Sequence, residues 1–260
     1  MKVAIAGKGG VGKTTLTGLL ARQLAEEGYR VLAIDADPDA NLASALPLDD
    51  STRVVPLAAR ADLIDALTGR GGMPGGMILL NPDIGAVLPE VRRSWGGGNF
   101  LVTLGWRKGG GEGCYCAENA VLKRVLAALI PQATDAVLVD SEAGLEHLSR
   151  GTAAAVDAVL AVVQPGSRSV ETAFAIRELA AGLGIAQVYP VLVGGRGQSD
   201  ADAVRRALGE WSLLASLPWD DDIRRADLDG SLPDIPAAYR PELRRLILTL
   251  ASSCPFGGRR

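Results

Sequence analysis

The 260-residue chain contains little of what secreted, membrane-spanning or nucleic-acid-binding proteins need. Its three cysteines are too few for a disulfide framework, which favours a cytoplasmic location. Its net charge of −3, without a basic block, and its 4% of aromatic residues argue against a nucleic-acid surface. No apolar run approaches the roughly 20 residues that a membrane helix requires. Because a strand pattern begins almost at Met1, we expect no signal peptide. The charge, the aromatic content and the short apolar runs together predict neither a membrane nor a nucleic-acid partner.

Short apolar runs alternate with helical patterns along the chain, and hydrophobic residues make up 48% of it. The strand-like runs are Val3–Ala6, Val31–Ile34, Ala136–Val139, Ala158–Val163 and Val188–Val193. The helical patterns are Lys13–Glu27, Val121–Ile130, Val170–Leu183, Ala201–Glu210 and Pro241–Ser252. This alternation predicts an α/β fold with a doubly wound, mostly parallel sheet, in which ligands bind beyond the carboxyl ends of the strands.

A phosphate-binding loop follows the first predicted strand. Residues 7–15 read Gly-Lys-Gly-Gly-Val-Gly-Lys-Thr-Thr, which fits the P-loop pattern Gly-x4-Gly-Lys-Thr. Glycines let backbone N–H groups approach phosphate oxygens, Lys13 reaches the β- and γ-phosphates, and Thr14 offers a hydroxyl to Mg²⁺. We expect the nucleotide to be bound by Gly9, Gly10, Val11, Gly12, Lys13, Thr14 and Thr15.

One stretch, residues 70–113, interrupts the alternation with clusters of glycine. We expect one or two strands in it, Met77–Leu80 and Phe100–Leu104. We find no internal repeat. The chain is therefore expected to be a single P-loop ATPase domain, 1–260, with a Gly-rich insertion around 70–113.

The loop carries a second lysine, Lys8. A loop of this composition resembles the deviant P-loop of the MinD, ParA and nitrogenase-iron-protein class of dimeric ATPases. The resemblance implies that Lys8 crosses the dimer interface and touches nucleotide bound to the other subunit, so that Lys8 and Lys13 are both catalytic candidates. A solvated surface lysine is the alternative.

Acidic residues follow the strand Val31–Ile34, in the run Asp35-Ala36-Asp37-Pro38-Asp39-Ala40-Asn41. Carboxylates at this end of a strand, facing a P-loop, suit Mg²⁺ coordination and water positioning. In the resembled class the aspartate before the proline orients the attacking water, which makes Asp37 a catalytic candidate. We expect Asp35 to be structural or to support the metal site from behind its ligands, and leave the role of Asn41 open. A simple turn rich in Asp, Pro and Asn is the alternative.

The strand Ala136–Val139 ends in Asp140, four apolar residues and an acid that form a Walker B pattern. Asp140 is expected to hold Mg²⁺ through its water shell. The run that follows has the position of a switch II loop, in which Gly144 would donate its N–H to the γ-phosphate. His147, the one histidine in the sequence, is interpreted as a packing or surface residue, with a metal ligand or base as the open alternative.

The nucleotide base needs a pocket of its own. Members of the resembled class commonly carry an Asn-Lys pair after the strand that corresponds to Val188–Val193, whereas this chain has Gly194-Gly195-Arg196. The later run from Pro218 to Ile223 resembles the loop that wraps the base in that class, which makes Pro218 and Asp220 base-binding candidates. The resemblance implies ATP and ADP as the nucleotides.

A close pair of cysteines, Cys114 and Cys116, precedes the predicted helix at Val121. Two thiolates at this spacing supply half of the four ligands of a tetrahedral or square-planar metal site, and a two-fold dimer would complete it. An ordinary buried pair is one alternative. A redox dithiol is another, disfavoured because a Cys-x-Cys bridge would be strained. We interpret Cys254 as an ordinary cysteine.

Four segments together resemble the CooC-type nickel-insertion ATPases, the maturation factors of carbon monoxide dehydrogenase. They are Gly7–Thr15, Asp35–Leu42, Gly109–Asn119 and Asp140–Gly151. The resemblance implies a homodimer that forms on nucleotide or metal binding. It implies Ni²⁺, or Zn²⁺, in Cys114 and Cys116 of both subunits, and a client metalloenzyme that is carbon monoxide dehydrogenase.

Other functions within this class of ATPases stay open. A spatial organiser like MinD or ParA would need a membrane-binding C-terminal helix or a basic DNA surface, and Pro241–Ser252 fits a packed last helix better. An iron–sulfur carrier or reductase would use four cysteines of a dimer, but in the nitrogenase iron protein the two ligands of each subunit lie far apart in sequence.

Overall fold

The structure is a computed structural model that describes residues 1–50, 54–68, 84–105, 122–129, 135–142 and 156–253. In these ranges eight strands form one sheet in the order β3-β4-β2-β5-β1-β6-β7-β8. Every neighbouring pair is parallel except the edge pair β3–β4. The strands are β1 (Lys2–Gly7), β2 (Val31–Asp35), β3 (Arg92–Ser94), β4 (Phe100–Thr103), β5 (Ala136–Asp140), β6 (Ala158–Val163), β7 (Gln187–Gly195) and β8 (Ala215–Pro218).

Helices cover both faces of the sheet, which confirms the α/β prediction. They are α1 (Lys13–Glu26), α2 (Ala61–Thr68), α3 (Ile84–Val91), α4 (across 122–129), α5 (Ser167–Gly182), α6 (Gln198–Leu208), α7 (Asp221–Asp229) and α8 (Arg240–Ser253). Apolar residues of α1 and α8 share one core with the sheet, and those of α4, α5 and α6 share the other. Among the helices in the described ranges, none is long and apolar enough to cross a membrane.

The five apolar runs that predicted strands all form strands of this sheet, because a central strand covered on both faces reads as a continuous apolar run. The prediction at Phe100–Leu104 is confirmed as β4, which pairs with β2 inside the stretch expected to be an insertion. The predicted strand Met77–Leu80 lies outside the described residues. Sequence patterns missed β3, β8 and the helices α2, α3 and α7.

The carboxyl ends of the central strands bring the predicted site residues to one edge of the sheet. β1 lies between β5 and β6, and β5 lies between β1 and β2. Asp35 of β2 and Asp140 of β5 are register partners at those ends. The P-loop, which follows β1, therefore begins beside two buried carboxylates.

Candidate nucleotide-binding site

The P-loop passes so close to β6 and β7 that only glycine fits at two of its positions. A Cβ on Gly7 would lie 2.6 Å from the carbonyl oxygen of Val162. A Cβ on Gly12 would lie 2.9 Å from Cγ1 of Val193, and Gly12 has a φ of 90°. Gly12 is the N-cap of α1, makes no side-chain cap hydrogen bond, and is followed by a first turn without acidic residues. The N–H groups at this helix start are therefore suited to an anion.

Lys13 folds back across the loop. Its side chain is buried, and Nζ donates a hydrogen bond of 3.3 Å to the carbonyl oxygen of Lys8. The ammonium is thus held over the loop between residues 8 and 13, where a bound phosphate would meet it. Lys8 itself is exposed.

Thr14 and Asp140, predicted as a Mg²⁺ pair from segments far apart in sequence, are in direct contact. The Thr14 hydroxyl donates a hydrogen bond of 2.6 Å to Oδ2 of Asp140. One turn further along α1, Thr17 donates to Oδ1 of Asp140 at 3.3 Å and to the carbonyl oxygen of Lys13 at 2.9 Å. A hydroxyl and a carboxylate at the edge of a phosphate loop are the oxygen ligands, direct or through water, that Mg²⁺ prefers. Sequence reasoning missed Thr17.

Burial dominates the electrostatics of the two carboxylates. Burial raises the pKa of Asp140 to about 6, although the Thr14 hydroxyl and the Lys13 ammonium both act to lower it. Burial, and after it the charge of Asp140, raise the pKa of Asp35 to about 7. The charge of Asp37 also raises both pKa values. A divalent cation bound here would favour the ionised carboxylates.

Asp35 fixes the shape of the turn that carries Asp37. Its Oδ1 accepts the N–H of Asp37 at 3.1 Å and its Oδ2 accepts the N–H of Leu42 at 2.9 Å. The carboxylate of Asp37, which is half-buried, accepts the N–H of Asp39 at 2.9 Å. The structural role expected of Asp35 fits this geometry, and Asp37 is left at the tip of an anchored turn.

The chain after this turn packs tightly against α1. A Cβ on Gly18 of α1 would lie 2.5 Å from Cβ of Ala45 and 2.8 Å from its carbonyl oxygen. Ala45 ends the short 3-10 turn Leu42–Ala45, so the segment that carries Asp37 and the helix after the P-loop are in contact. Because the two segments are closely packed, a movement of the turn would displace α1, and a movement of α1 would displace the turn.

A cleft of about 360 Å³ opens beside the P-loop threonines. Its walls come from α1, from the segment after β2 and from α7, and include Thr14, Thr15, Leu19, Arg22, Asn41, Ser44, Ile223 and Asp227. Arg22 is partly buried, which lowers its pKa, and Nη1 donates a hydrogen bond of 2.6 Å to the carbonyl oxygen of Pro233. Sequence patterns did not indicate this cleft, because they missed α7, which forms one of its walls.

The segment expected to wrap the base, Pro218 to Ile223, is only partly a loop. Pro218 ends β8, and its carbonyl oxygen accepts the Tyr239 hydroxyl. Oδ1 of Asp220 accepts the N–H groups of Asp222 and Ile223 at 3.0 Å each and so caps α7. The expectation of a loop through Ile223 was wrong because an aspartate before a polar run also begins a helix. Base binding by Pro218 and Asp220 stays a prediction.

Gln164 is a further residue at this site that sequence patterns did not single out. It follows β6, and its Nε2 donates a hydrogen bond of 3.3 Å to the carbonyl oxygen of Gly10 in the P-loop. The backbone N–H of Gln164 donates to the Ser169 hydroxyl at 2.9 Å. Only the position of Gln164 at a carboxyl strand end next to β1 could have indicated it.

Several predicted residues lie outside the described ranges, namely Cys114, Cys116, Gly144, His147 and Cys254. Within the described ranges there is no group of three or more His, Cys, Asp or Glu side chains that could hold a metal ion. The thiolate site therefore remains a prediction from the sequence.

Comparison with known proteins agrees with this geometry. Residues 2–233 match the family model of the CobQ/CobB/MinD/ParA nucleotide binding domain. The chain is 39% identical to the carbon monoxide dehydrogenase accessory protein CooC of Rhodospirillum rubrum, over 96% of each chain. It is 32% identical to an uncharacterized ATP-binding protein of Methanocaldococcus jannaschii, over 95% of this chain and 96% of the other. The fold superposes on the septum site-determining protein MinD of Pyrococcus horikoshii, complexed with Mg-ADP, with a TM-score of 0.66, 22% identity and 96% coverage of both chains.

Proposed function

Since the chain belongs to the CobQ/CobB/MinD/ParA nucleotide-binding family, and within it to the family of the accessory protein CooC, we propose that it is a dimeric metallochaperone ATPase that assists nickel insertion into carbon monoxide dehydrogenase. The observation that carries the proposal is the 39% identity to CooC, which extends over 96% of both chains. ATP hydrolysis follows from the family and the phosphate loop. We place the activity in the cytoplasm because cysteine is scarce.

In the proposed ATPase cycle the phosphates lie at the start of α1. Backbone N–H groups of the P-loop and the Lys13 ammonium bind the β- and γ-phosphates, which costs little reorganisation because the ammonium is already held over the loop. Thr14 and Asp140, whose side-chain oxygens are 2.6 Å apart, would hold Mg²⁺ directly or through its water shell. Asp37, on the turn anchored by Asp35, orients the attacking water.

Removal of the Lys13 ammonium tests the nucleotide site. We expect Lys13→Ala to weaken Mg-ATP binding about a hundredfold or more, because the buried ammonium neutralises phosphate charge in a partly desolvated loop. Isothermal titration calorimetry with a non-hydrolysable ATP analogue measures this. Lys2→Ala is the matched control, since Lys2 begins the strand whose other end leads into the P-loop. Equal affinity of Lys13→Ala and the unmodified chain would contradict the assignment.

Lys8 supports a shared site in a dimer. Its side chain is exposed, whereas its carbonyl oxygen is engaged with Lys13 of the same subunit. The side chain is thus free to leave its own loop and reach the nucleotide of the other subunit, as the resemblance to MinD-type loops implies. A cation that arrives only on dimerisation would stabilise charge in the transition state.

Mixed dimers separate action in trans from action in cis. We expect Lys8→Ala and Asp37→Ala to be inactive alone, but their mixture to recover about a quarter of the unmodified ATPase activity. Half of randomly assorted dimers are mixed, and one of their two sites then keeps both Asp37 and the partner's Lys8. The subunits are mixed before ATP is added and phosphate release is measured. No recovery would count against a shared site.

The proposed nickel site is formed by the cysteine pair of each chain. Cys114 and Cys116 give two thiolates per chain, and a dimer formed through the nucleotide sites would bring four together. Nickel is the substrate of this site, and zinc would occupy the same thiolates. ATP hydrolysis would then change the dimer geometry and release the ion to the client enzyme.

A further inference from the structure

Both oxygens of the Asp140 carboxylate accept hydrogen bonds from hydroxyls of the same helix. Thr14 donates to Oδ2 at 2.6 Å, and Thr17 donates to Oδ1 at 3.3 Å. Thr14 and Thr17 are three residues apart on α1, so their side chains are neighbours on one face of the helix. That face packs against β5, which ends in Asp140. The carboxylate is therefore held at two points rather than one.

The Thr17 hydroxyl is itself fixed by a bond to its own helix. It donates at 2.9 Å to the carbonyl oxygen of Lys13, four residues earlier. In a helix the threonine side chain divides between two χ1 rotamers, and a bond to the carbonyl of the preceding turn selects one of them. The selected rotamer brings Oγ1 next to Oδ1 of Asp140, and the one hydroxyl proton is shared between the two acceptors.

The helix does not require this carboxylate, whereas the carboxylate requires the hydroxyl. Thr17 and Asp140 are both fully buried, and the bond to Lys13 alone would satisfy a buried hydroxyl. Without Thr17, Oδ1 of Asp140 would lose the bond that it accepts from α1, at a position that solvent does not reach. The torsion about the Cβ–Cγ bond of an aspartate is broad, so a carboxylate held at one oxygen can still rotate. The second bond therefore fixes the plane of the carboxylate.

We propose that Thr17 is a positioning residue of the Mg²⁺ site, which holds Oδ1 of Asp140 and so keeps Oδ2 turned toward Thr14, where the ion or its water shell would bind. The inference rests on the nucleotide binding of the proposed function and adds a residue that acts through Asp140 rather than on the nucleotide. Side chains that orient a metal ligand commonly contribute about ten- to hundredfold to metal affinity. Thr17 should therefore affect nucleotide binding only when Mg²⁺ is present.

Nucleotide affinity with and without Mg²⁺ separates this role from a structural one. We expect Thr17→Val, which keeps the shape of the side chain but loses the hydroxyl, to weaken ADP binding about tenfold in Mg²⁺ and to leave ADP binding in EDTA within about twofold of the unmodified chain. Thr17→Ser keeps the hydroxyl and should bind ADP in Mg²⁺ within about threefold of the unmodified chain. Calorimetric titration in the two buffers gives the dissociation constants without any turnover.

Thr172 of α5 provides the matched control, because it makes the same bond to its own helix on a helix that does not carry the P-loop. Its hydroxyl donates to the carbonyl oxygen of Arg168, four residues earlier, at 2.8 Å. Thr172→Val should leave ADP binding unchanged in both buffers. This control accounts for the loss of a helix-internal bond in Thr17→Val.

The outcomes distinguish the two proposals. Unchanged affinity of Thr17→Val in Mg²⁺, or an equal loss in Mg²⁺ and in EDTA, would overturn the positioning role, and so would an unmodified chain that binds ADP equally in both buffers. If Thr17→Val did not fold, Thr17→Ala would be judged by the same comparison. If the unmodified chain bound ADP in neither buffer, the proposed ATPase function would fail instead.

Discussion

Asp37→Ala should bind Mg-ATP within about threefold of the unmodified chain and hydrolyse it about a hundredfold or more slowly. The charge of Asp37 raises the pKa values of the buried Asp35 and Asp140, and within the described residues its carboxylate accepts the N–H of Asp39 and makes no hydrogen bond to the P-loop. Its loss therefore removes an interaction with the attacking water rather than with the phosphates. ATP-bound dimers should accumulate, which light scattering would detect alongside steady-state phosphate release.

Two variants separate this effect from damage to the turn. Asp37 accepts the N–H of Asp39, so alanine also removes one hydrogen bond of the turn. Asp37→Asn keeps an acceptor for that bond but loses the charge, and it should be as slow as Asp37→Ala. Asp39→Ala removes an exposed carboxylate from the same turn and should hydrolyse ATP within about twofold of the unmodified rate. Hydrolysis at the unmodified rate in Asp37→Ala would make the assignment wrong.

The second large effect concerns the metal. We expect the unmodified dimer to bind one nickel ion, and the double variant Cys114→Ser, Cys116→Ser to bind none at the same affinity, because four thiolates are needed and each chain supplies two. ATP hydrolysis should persist, since Lys13, Thr14 and Asp140 lie on other segments of the chain. Metal analysis of gel-filtered protein, with ADP and with ATP, gives the stoichiometry.

Absorption spectroscopy distinguishes nickel from zinc at this site, and a third cysteine provides a control variant. Nickel in four thiolates should be square planar and absorb through sulfur-to-metal charge transfer, whereas zinc should be tetrahedral and lack that band. Affinity should fall in acid because the thiolates must first lose protons. Cys254→Ser should change neither the metal content nor the absorption. One full-affinity ion per monomer, or undiminished binding in the double variant, would contradict a site shared across the dimer.

The phosphate site could be predicted from the sequence because its signals are local. The P-loop occupies nine consecutive residues, and the Asp140 carboxylate directly ends an apolar strand. Thr14 and Asp140 are 126 positions apart, yet the parallel topology that the strands predict brings them to the same edge of the sheet. Asp35 ends β2, and its carboxylate accepts the N–H of Asp37, a contact that fits the structural role expected of it.

Other parts of the site depend on contacts that no local pattern encodes. β8 is a four-residue strand, Ala-Ser-Leu-Pro, in which serine is polar and proline disfavours strand structure. It is a strand because it pairs with β7, and no pattern within the four residues indicates that pairing. α7 was missed with it, and so were the cleft and Arg22. Gln164 and Thr17 act through single hydrogen bonds to partners 154 and 123 residues away, which spacing in the sequence cannot reveal.

The close contact between Gly18 and Ala45 limits how this chain can vary. Gly18 has no side chain, Ala45 has the smallest one that remains, and a single added carbon at position 18 would collide with both Cβ and backbone of residue 45. An increase in volume at position 18 would therefore require the turn Leu42–Ala45 to move. Substitution at position 18 of α1 is therefore constrained by a residue 27 places further on that takes no part in the helix.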